Sequence, residues 1–355
     1  MKIKLETKKL QDLVTKAMKG SSNNKMIPIT SLMSIKAARK KLFIKTTDAT
    51  NYLYVFDDLN EDVDFDVVVQ AELFAKLISK ITDKDVTLEV IEGTLYVKGN
   101  GVYKIELPLD EEGELITYPS PDRNLDNAKK YTVEISDIKT IISTAKSALA
   151  TTIENPCYTG YYLGKKVIAT DTFMICGIDI ELFDEPVLMS PELMNLIDLC
   201  EDDVSVYISG LDITVESKNV RIVGKLMDSI DDYSVEAINS LLSAEFESVC
   251  KVNRNSFLQL LDRLSLFVGV YDKNEITLTF SNNDLTVVSK QVNSTESIEY
   301  VSSVNFKPFT CVIDITMLQS QVKANSGETI EIGYGLDNAI RIVDGDVTQI
   351  IALQE

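Results

Sequence analysis

Residues 187–227 read VLMSPELMNLIDLCEDDVSVYISGLDITVESKNVRIVGKLM, and this stretch decides the fold of the 355-residue chain because it is one of three diverged copies. The first copy spans residues 67–109, and the third spans residues 311–354. Each copy has the pattern of a short apolar strand, a capped amphipathic helix and then three strands joined by turns. A unit that repeats at intervals of about 120 residues indicates a tandem array of similar domains.

Local signals inside the copies support this pattern. Ser190 and Asp314 are good N-cap residues, each three positions before an apolar residue, Leu193 or Met317. Pro191 fits the first turn of the helix after Ser190. The runs VTLEV, VSVYI and TIEIG alternate apolar and polar residues with the period of half-buried strands.

The parts upstream of each copy repeat as well, each with a short strand (KIKLE, YTVEI or SVCKV) before a helix. Four apolar residues share one face of each helix: Leu10, Leu13, Val14 and Ala17 in the first, Ile138, Ile141, Ile142 and Ala145 in the second, and Phe257, Leu260, Leu261 and Leu264 in the third. The chain divides at polar joins near residues 128 and 246. The prediction is an α+β fold of three tandem domains of normal size, at 1–128, 129–246 and 247–355.

Composition excludes several classes of protein. The N-terminus MKIKLETKKL lacks the apolar core of a signal peptide and no apolar run is long enough to span a membrane, which predicts a cytoplasmic location. The chain has no histidine, which rules out imidazole chemistry and the common nucleophile pairs. Single, scattered cysteines favour core positions over a zinc site or a disulfide framework: Cys157, Cys176, Cys200, Cys250 and Cys311. We expect no catalytic residue, no metal and no cofactor.

A glycine-rich stretch, Gly160 to Lys166, has some likeness to a phosphate-binding loop. It has three residues between its glycines instead of four, and no Ser or Thr follows the lysine. A strand and a tight turn leading into VIATD is the better interpretation.

The charge distribution carries more information than any catalytic motif. The net charge is −20, yet the acids fall mostly in loops and the bases collect on the polar faces of the helices. Lys76 and Lys80, for example, are expected to lie away from an apolar face of Leu73, Leu77 and Ile81. The basic helix residues are Lys8, Lys16, Lys19, Lys76, Lys80, Lys139, Lys146, Arg263 and Lys323. Ordinary solvated helix faces are the alternative, but the basic bias recurs on five of the six repeated helices of a very acidic chain.

At this point the chain resembles the bacterial DNA polymerase sliding clamp, the beta subunit of DNA polymerase III. The segments MIPITSLMSIKAARKKLFIKTTDATNYLYV, VIATDTFMICGI and GKLMDSIDDYSV are similar to family segments, and the likeness runs from end to end. The sequence departs from the family at Thr172, Phe173 and Met174, which replace Gly-His-Arg, and in its ending IIALQE. A divergent, phage-encoded member would fit these departures.

The resemblance implies a head-to-tail homodimeric ring, with antiparallel sheets outside and two helices per domain lining a hole for double-stranded DNA. The basic helix residues would face the DNA phosphates, and Asn24 and Lys25 lie near a loop that touches DNA in the family. Val102, within an edge strand from Val102 to Leu107, would face Leu266 and Phe267 of a second chain. From sequence alone, Leu266 and Phe267 could equally be core residues.

The resemblance also implies a pocket that takes short peptides from the polymerase and the ATP-driven clamp loader. Its residues would be Tyr158, Thr170, Phe173, Met174, Ile175, Tyr233, Ile350, Ile351 and Leu353. Ile175 and Ile351 could instead be plain core, because alternation along a strand buries such residues. Phe173 and Met174 make a changed peptide preference an expectation.

Three other hypotheses stay open. The chain could be a clamp-like scaffold or decoy that binds replication peptides without encircling DNA. It could be an enzyme using Asp48 and Asp171, the Thr-Asp pairs at matching places in the first two repeats, although such pairs are common turn formers and the third repeat has Lys290 and Gln291 near that place. A trimeric ring of two-domain chains conflicts with three copies.

Overall fold

The computed structural model describes residues 1–121, 125, 127–269, 274–289, 294–336 and 338–354. Lys290 and Gln291 lie outside these described residues. One order of elements occurs three times along the chain: strand, helix, four strands, helix and three strands. The predicted element order of each copy is therefore confirmed.

In the first repeat the elements are β1 (Lys2–Glu6), α1 (Thr7–Ala17), β2 (Leu32–Ala38), β3 (Lys41–Thr47), β4 (Tyr52–Asp58), β5 (Phe65–Gln70), α2 (Ala71–Ser79), β6 (Asp85–Ile91), β7 (Thr94–Lys98) and β8 (Val102–Glu106). In the second they are β9 (Lys129–Val133), α3 (Ile135–Ala145), β10 (Tyr161–Leu163), β11 (Val167–Thr170), β12 (Met174–Ile178), β13 (Val187–Met189), α4 (Pro191–Ile197), β14 (Val204–Ser209), β15 (Asp212–Glu216), β16 (Val220–Lys225) and a further helix, α5 (Val235–Leu242). Short 3-10 turns at Met18–Gly20, Pro28–Ser31, Lys146–Ala148, Pro156–Thr159 and Ile230–Asp232 connect these elements.

In the third repeat the elements are β17 (Ser248–Asn253), α6 (Arg254–Ser265), β18 (Glu275–Phe280), β19 (Asp284–Ser289), β20 (Ser294–Glu299), an extra short strand β21 (Ser302–Val304), β22 (Phe309–Asp314), α7 (Ile315–Ala324), β23 (Thr329–Tyr334), β24 (Ala339–Asp344) and β25 (Val347–Ala352). The sequence Gly160 to Lys166 forms β10 and the turn into β11, as predicted.

The chain forms two compact units. The first unit, residues 1–138 and 192–226, contains an antiparallel sheet in the order β1-β6-β7-β8 and an eight-stranded antiparallel sheet in the order β5-β2-β3-β4-β16-β15-β14-β9. The pairing of β4 with β16 makes one continuous sheet from strands of the first and second repeats. Each repeat contributes two groups of four strands: its first strand with the three strands after its second helix, and the strands between its two helices. Strand β4 ends the group between the helices of the first repeat, and β16 ends the other group of the second repeat.

The second unit, residues 139–191 and 227–355, repeats the same arrangement. Its nine-stranded antiparallel sheet has the order β13-β10-β11-β12-β25-β24-β23-β17-β21, and its four-stranded sheet has the order β20-β19-β18-β22. Here β12 pairs with β25 as β4 pairs with β16. The junction between consecutive repeats is thus built the same way twice.

The apolar helix faces pack as their spacing predicts. The four predicted apolar residues of α1 and the four of α6 are buried, and so are Ile138, Ile141 and Ala145 of α3, while Ile142 is only half-buried. Asp314 caps α7, because its carboxylate accepts hydrogen bonds from the backbone N–H groups of Thr316 and Met317. Asn253 caps α6 in the same way through the N–H of Ser256.

The apolar face of α2 differs from the prediction. Phe74 and Ile78 are fully buried, whereas Leu73 is 55% exposed and Leu77 is half-buried. Of the predicted face, only Ile81, just past the helix, is buried. Ala71, Phe74 and Ile78 form an overlapping stripe with spacings of three and four residues, which also places them on one side of the helix. The stripe that carries the large Phe74 ring enters the core because its burial removes more apolar surface from water.

Helix α5 is absent from the prediction, which treated residues near 246 as a polar join. Ile238 and Leu242 of this helix are buried in a cluster with Ile175 and Ile350. A Cβ at position 177 would lie 2.7 Å from the Leu242 side chain, so Gly177 of β12 is what allows the helix to pack this closely. The acidic stretch before residue 246 is therefore part of the second unit's core.

Candidate functional site

The predicted DNA-facing residues of the first unit lie on α1, α2 and the turns that follow them. Lys8 and Lys19 are exposed on the side of α1 opposite its buried face, and Lys80 is exposed at the end of α2. Lys16 forms an ion pair with Glu201, and Lys76 pairs with Glu72 one turn earlier on its own helix. The structure thus leaves part of the predicted basic set free and places the rest against carboxylates.

The basic residues after the first unit show the same division. Lys139 and Lys146, on α3 and the turn after it, are exposed, and Lys323 is exposed in the last turn of α7. Arg263 of α6 instead pairs with Glu296 of β20, with its Nε 3.1 Å from a carboxylate oxygen. Within the described part of the chain, these helix lysines have no ion-pair partner: Lys8, Lys19, Lys80, Lys139, Lys146 and Lys323.

The loop after α1 presents Asn24 and Lys25 to solvent. The Asn24 side-chain oxygen accepts a hydrogen bond from the N–H of Met26, which holds the loop in a tight turn. The Lys25 ammonium is left exposed beside it. An exposed ammonium on this loop is accessible for an electrostatic contact with an anion.

Two sheet edges carry the predicted interface residues. Strand β8 lies at an outer edge of its sheet, where Val102 is 61% exposed. At the end of α6, Leu266 is 80% exposed and Phe267 is 45% exposed, so the alternative that they are core residues is wrong. Strand β20, at an outer edge of the second unit's small sheet, packs against α6, the helix that this apolar pair follows. Sequence reasoning missed β20 as an interface element, because only the strand order reveals that it is an edge.

The predicted peptide pocket lies entirely within the second unit. Ile175 and Ile350 are direct neighbours across β12 and β25, and both belong to the cluster that contains Tyr233. The Tyr158 and Tyr233 rings meet edge to face with centroids 5.1 Å apart, and the Tyr158 hydroxyl lies 3.2 Å from that of Ser234. Burial raises the pKa of the Tyr233 phenol, whose O–H donates to the carbonyl oxygen of Ile168.

Exposure divides the pocket residues into a floor and a rim. Thr170, Met174, Ile175, Tyr233, Ile350 and Ile351 are buried, Tyr158 and Leu353 are half-buried, and Phe173 is 59% exposed. The backbone joins these residues, because the N–H of Ala352 donates to the carbonyl oxygen of Phe173 and Met174 pairs with Ile351. The predicted residues are brought together, and Ile175 and Ile351 are buried, as the alternative that they are core residues predicts, while the Phe173 ring is exposed beside them.

The two Thr-Asp pairs form the same turn twice. The Asp48 carboxylate accepts hydrogen bonds from the N–H groups of Thr50 and Asn51, and the Asp171 carboxylate accepts them from Phe173 and Met174. Thr47 and Thr170 each donate a hydroxyl to the carbonyl four residues on. These carboxylates stabilise turns, which is the role that was predicted as the alternative to catalysis.

Asp171 supports a prediction about stability. Burial raises the pKa of its carboxyl above the ordinary value, although the N–H donors of Met174 and Phe173 act in the opposite direction. A carboxyl whose folded-state pKa is raised stabilises the fold below its unfolded-state pKa and loses that contribution as the pH rises through the folded-state pKa. We therefore expect Asp171→Asn, which keeps an acceptor oxygen, to raise the melting temperature at pH 7 relative to the original chain. The gain should vanish near pH 3.

The matched variant Asp171→Ala should lower the free energy of unfolding by about 1–3 kcal/mol, because it removes the acceptor of two turn hydrogen bonds. Thermal unfolding of both variants, followed by circular dichroism from pH 3 to pH 8, measures the two effects. An Asp171→Asn variant that is less stable at pH 7 than at pH 3, relative to the original chain, would show that the hydrogen bonds outweigh burial.

The remaining reactive side chains are core residues. All five cysteines are buried and free, and burial raises the pKa values of Cys176, Cys250 and Cys311 to about 12. The described residues contain no cluster of three or more acidic or cysteine side chains that could hold a metal ion. Among those same residues, no helix is both long and apolar enough to cross a membrane.

With this arrangement in view, comparison with known proteins defines the class: the chain has the fold of the bacterial DNA sliding clamps. It aligns with the DNA polymerase sliding clamp of Bacillus subtilis at a TM-score of 0.87 and 18% identity, covering 100% of this chain and 99% of that one. It aligns with the DNA polymerase III subunit beta of Borrelia burgdorferi, in complex with a natural product, at 0.88 and 17%, with the same coverage.

A third similar structure is the sliding clamp of Bartonella birtlesii bound to griselimycin, with a TM-score of 0.86, 17% identity and full coverage of both chains. Residues 1–117 match the family model described as the DNA polymerase III beta subunit, N-terminal domain. The predicted resemblance to the bacterial beta subunit is therefore confirmed, at low sequence identity, and so is the predicted α+β fold. No curated protein sequence matches the chain.

Proposed function

We propose that this chain is a non-catalytic DNA sliding clamp, in which two copies close head to tail into a ring around double-stranded DNA and tether a polymerase. The three repeats would be its domains, at residues 1–128, 129–246 and 247–355. The similar structures described above are a DNA polymerase sliding clamp and a DNA polymerase III subunit beta, which supports this function.

One observation carries the proposal. The same kind of strand pairing joins consecutive repeats twice, and each of the two kinds of strand that form it also occurs once at a sheet edge. Strand β4 pairs with β16, and β12 pairs with β25. The equivalent strands that remain are β20 in the third repeat and β8 in the first, and both are sheet edges. A second chain that repeats the junction would pair its β20 with β8 of the first, and the two chains together would leave no such edge.

Exposed apolar side chains support the same pairing. Leu266 and Phe267 directly follow α6, which packs against β20, and Val102 lies on β8. Pairing of the two edges would remove these apolar side chains from water, which favours association. The residues predicted from the family resemblance are therefore those that the strand order makes available.

The exposed lysines would provide binding to DNA without reading its sequence. Phosphate contacts by lysine are sequence-independent and weaken with salt, which permits sliding. Lys16, Lys76 and Arg263 are paired with acids, but a surface ion pair is worth only about 0–1 kcal/mol, so phosphate can replace the carboxylate. Acidic loops would repel DNA from other surfaces.

The pocket over β12 and β25 would take apolar anchors of short peptides from the polymerase and clamp loader. Its buried apolar floor and half-buried Tyr158 suit such anchors, and the exposed Phe173 ring would add an apolar contact at the rim. Retention on circular DNA that ends when the circle is cut is the decisive test of the whole function.

The lysines give a separate prediction. Exchange of the unpaired residues Lys8, Lys80 and Lys139 for Glu should lower affinity for a short duplex at least about tenfold, and each lost phosphate contact should reduce the slope of log affinity against log salt by about 0.9. Fluorescence anisotropy of a labelled duplex, at several salt concentrations, measures both. The charge-matched control exchanges three lysines that are exposed in strand turns, Lys40, Lys165 and Lys218, for Glu. Equal losses in the two sets would mean that the helix lysines are ordinary solvated surface.

A further inference from the structure

The first unit contains a cleft of about 400 Å³ that the proposed function does not use. It lies over β2, β3 and β5 and is closed on one side by residues 107–120. Lys36, Lys45 and Asp66 line it together with apolar side chains that include Val68 and Tyr118. Two lysines and one carboxylate give the lining a net positive charge in a chain whose total is −20.

The strand register shows that this cleft is the internal counterpart of the predicted peptide pocket. In the first repeat, Ser34 of β2 is the direct neighbour of Lys45 on β3 and of Val68 on β5. In the second repeat, Tyr162 of β10 is in the same way the direct neighbour of Ile168 on β11 and of Leu188 on β13. Lys45 stands three residues before Asp48, as Ile168 stands three residues before Asp171.

In each of the two repeats, a tyrosine from the segment that follows the last strand, β8 or β16, covers this row of three neighbouring residues. Tyr233 donates its hydroxyl to the carbonyl oxygen of Ile168. Tyr118 holds its ring 5.8 Å from the Lys45 ammonium and donates its hydroxyl to the carbonyl oxygen of Leu32. The two sites therefore share strand order, register and an aromatic cover, and they differ in the side chains of the floor.

That difference changes the chemistry of the floor. In the second repeat the row consists of Ile168, Tyr162 and Leu188, which lie in or against an apolar cluster. In the first repeat the row consists of Lys45, Ser34 and Val68, which line the cleft. The Lys45 ammonium lies between two aromatic rings, 5.7 Å from the centroid of Tyr54 and 5.8 Å from that of Tyr118, and donates to the hydroxyl of Ser120 at 2.8 Å. The nearby Asp66 carboxylate is 2.6 Å from the ammonium of Lys36.

Among the residues that the structure describes, no carboxylate forms an ion pair with Lys45. Burial lowers the pKa of its ammonium, while Asp66 acts in the opposite direction. A partly desolvated ammonium gains more from an incoming carboxylate than a fully hydrated one does, because the charge is screened less. Beside it, Val68, Ile116 and Leu115 offer apolar contact, with Leu115 exposed at the rim.

We propose that this cleft is a second partner-docking site, which takes a peptide segment that presents an Asp or Glu carboxylate to Lys45 and an adjacent apolar side chain to Val68 and Leu115. It goes beyond the proposed function, because it requires neither ring closure nor DNA. The acidic requirement would separate its partners from those of the apolar pocket, so that one chain can hold two different peptides at once.

Two pools of blocked pentapeptides test this assignment. In the first pool an Asp stands one or two positions from a Leu or Phe, and in the second an Asn replaces that Asp. Methyl NMR of the full chain, labelled at Leu, Val and Ile, locates binding through Val68 and Leu115 in the cleft and through Ile175 and Ile350 in the pocket. We expect the Asp pool to shift the cleft methyls and to bind about tenfold more tightly there than the Asn pool, the effect of one charge-assisted hydrogen bond.

The variant Lys45→Met should reduce binding of the Asp pool to the level of the Asn pool, and Lys45→Arg should retain most of it. Lys130→Met is the matched control, because Lys130 lies 5.5 Å from the Tyr207 ring centroid and outside the cleft. Inorganic phosphate is the third probe. Four outcomes would each overturn the proposal. They are equal binding of the two pools, unchanged binding of the Asp pool by Lys45→Met, no shift of the cleft methyls, and a shift of the cleft methyls with phosphate alone. Shifts of the pocket methyls are read independently, so failure of the peptide pocket is distinguishable from failure of the cleft.

Discussion

Cutting a circular duplex should release this protein from it. If two chains enclose the DNA, retention on the circle depends on topology, because the lysine contacts to phosphate are weak and delocalised. A linear duplex has ends, and a sliding ring leaves through them. We expect the lifetime of bound protein to fall at least about tenfold on linearisation at a salt concentration of about 0.2 M, where the phosphate contacts alone hold little protein.

The measurement uses a nicked circle with one restriction site, loaded in the presence of ATP with the clamp loader from the same source, and separated from free protein by gel filtration. A second circle carries a bulky protein block on each side of the cutting site. Cutting this circle should leave the protein in place, because the ring cannot pass the blocks. The comparison separates sliding off an end from any direct effect of cutting on affinity.

Two other outcomes would redirect the interpretation. Persistence on the unblocked linear duplex would mean that direct affinity, and not enclosure, holds the protein. Absence of any salt-resistant retention on the circle, together with peptide binding at Tyr158 and Tyr233, would favour the scaffold or decoy function. Neither outcome conflicts with the fold.

Much of this fold could be predicted from sequence because burial follows local periodicity. The apolar faces of α1 and α6 are correct to the residue, since each places its large apolar side chains on a single stripe. The face of α2 was wrong at Leu73 and Leu77, although Ile81 is buried as predicted, because Phe74 and Ile78 form an overlapping apolar stripe and only packing selects between the two. Helix α5 was missed because it has no counterpart at that point of the other repeats and borders a polar join, while its burial depends on the space above Gly177.

The candidate sites were less accessible to sequence reasoning. The partner of Lys16 is Glu201, which is 185 positions away in the chain. Arg263, on helix α6, pairs with Glu296 on strand β20. Helical spacing places these basic residues on a polar face, but it carries no information on which acids reach them. The edge at β20 and the counterpart row through Lys45 depend on strand order and register, which become visible only when the sheets are assembled.

The interface prediction has the second large expected effect. Replacing both Leu266 and Phe267 with Ala should convert a dimer into a monomer at micromolar concentration, with the fold retained. Both side chains are exposed in the single chain, so their loss removes little of its own core. A fully buried Leu or Phe side chain contributes about 1.5–3 kcal/mol. Because a closed two-chain ring contains the interface twice, the dimer dissociation constant should rise at least about 100-fold.

Sedimentation velocity over a range of concentrations measures the change, and circular dichroism checks that the variant is folded. The control is Leu211→Ala, which shortens an exposed apolar side chain in the turn between β14 and β15, away from both edges. Val102→Asp, on the opposite edge at β8, should weaken the dimer as well, because it places a carboxylate in the apolar contact. If the original chain is a strict monomer, the ring itself is contradicted. If it is a dimer that survives both changes, the pairing of β8 with β20 is wrong, and the chains associate through another surface.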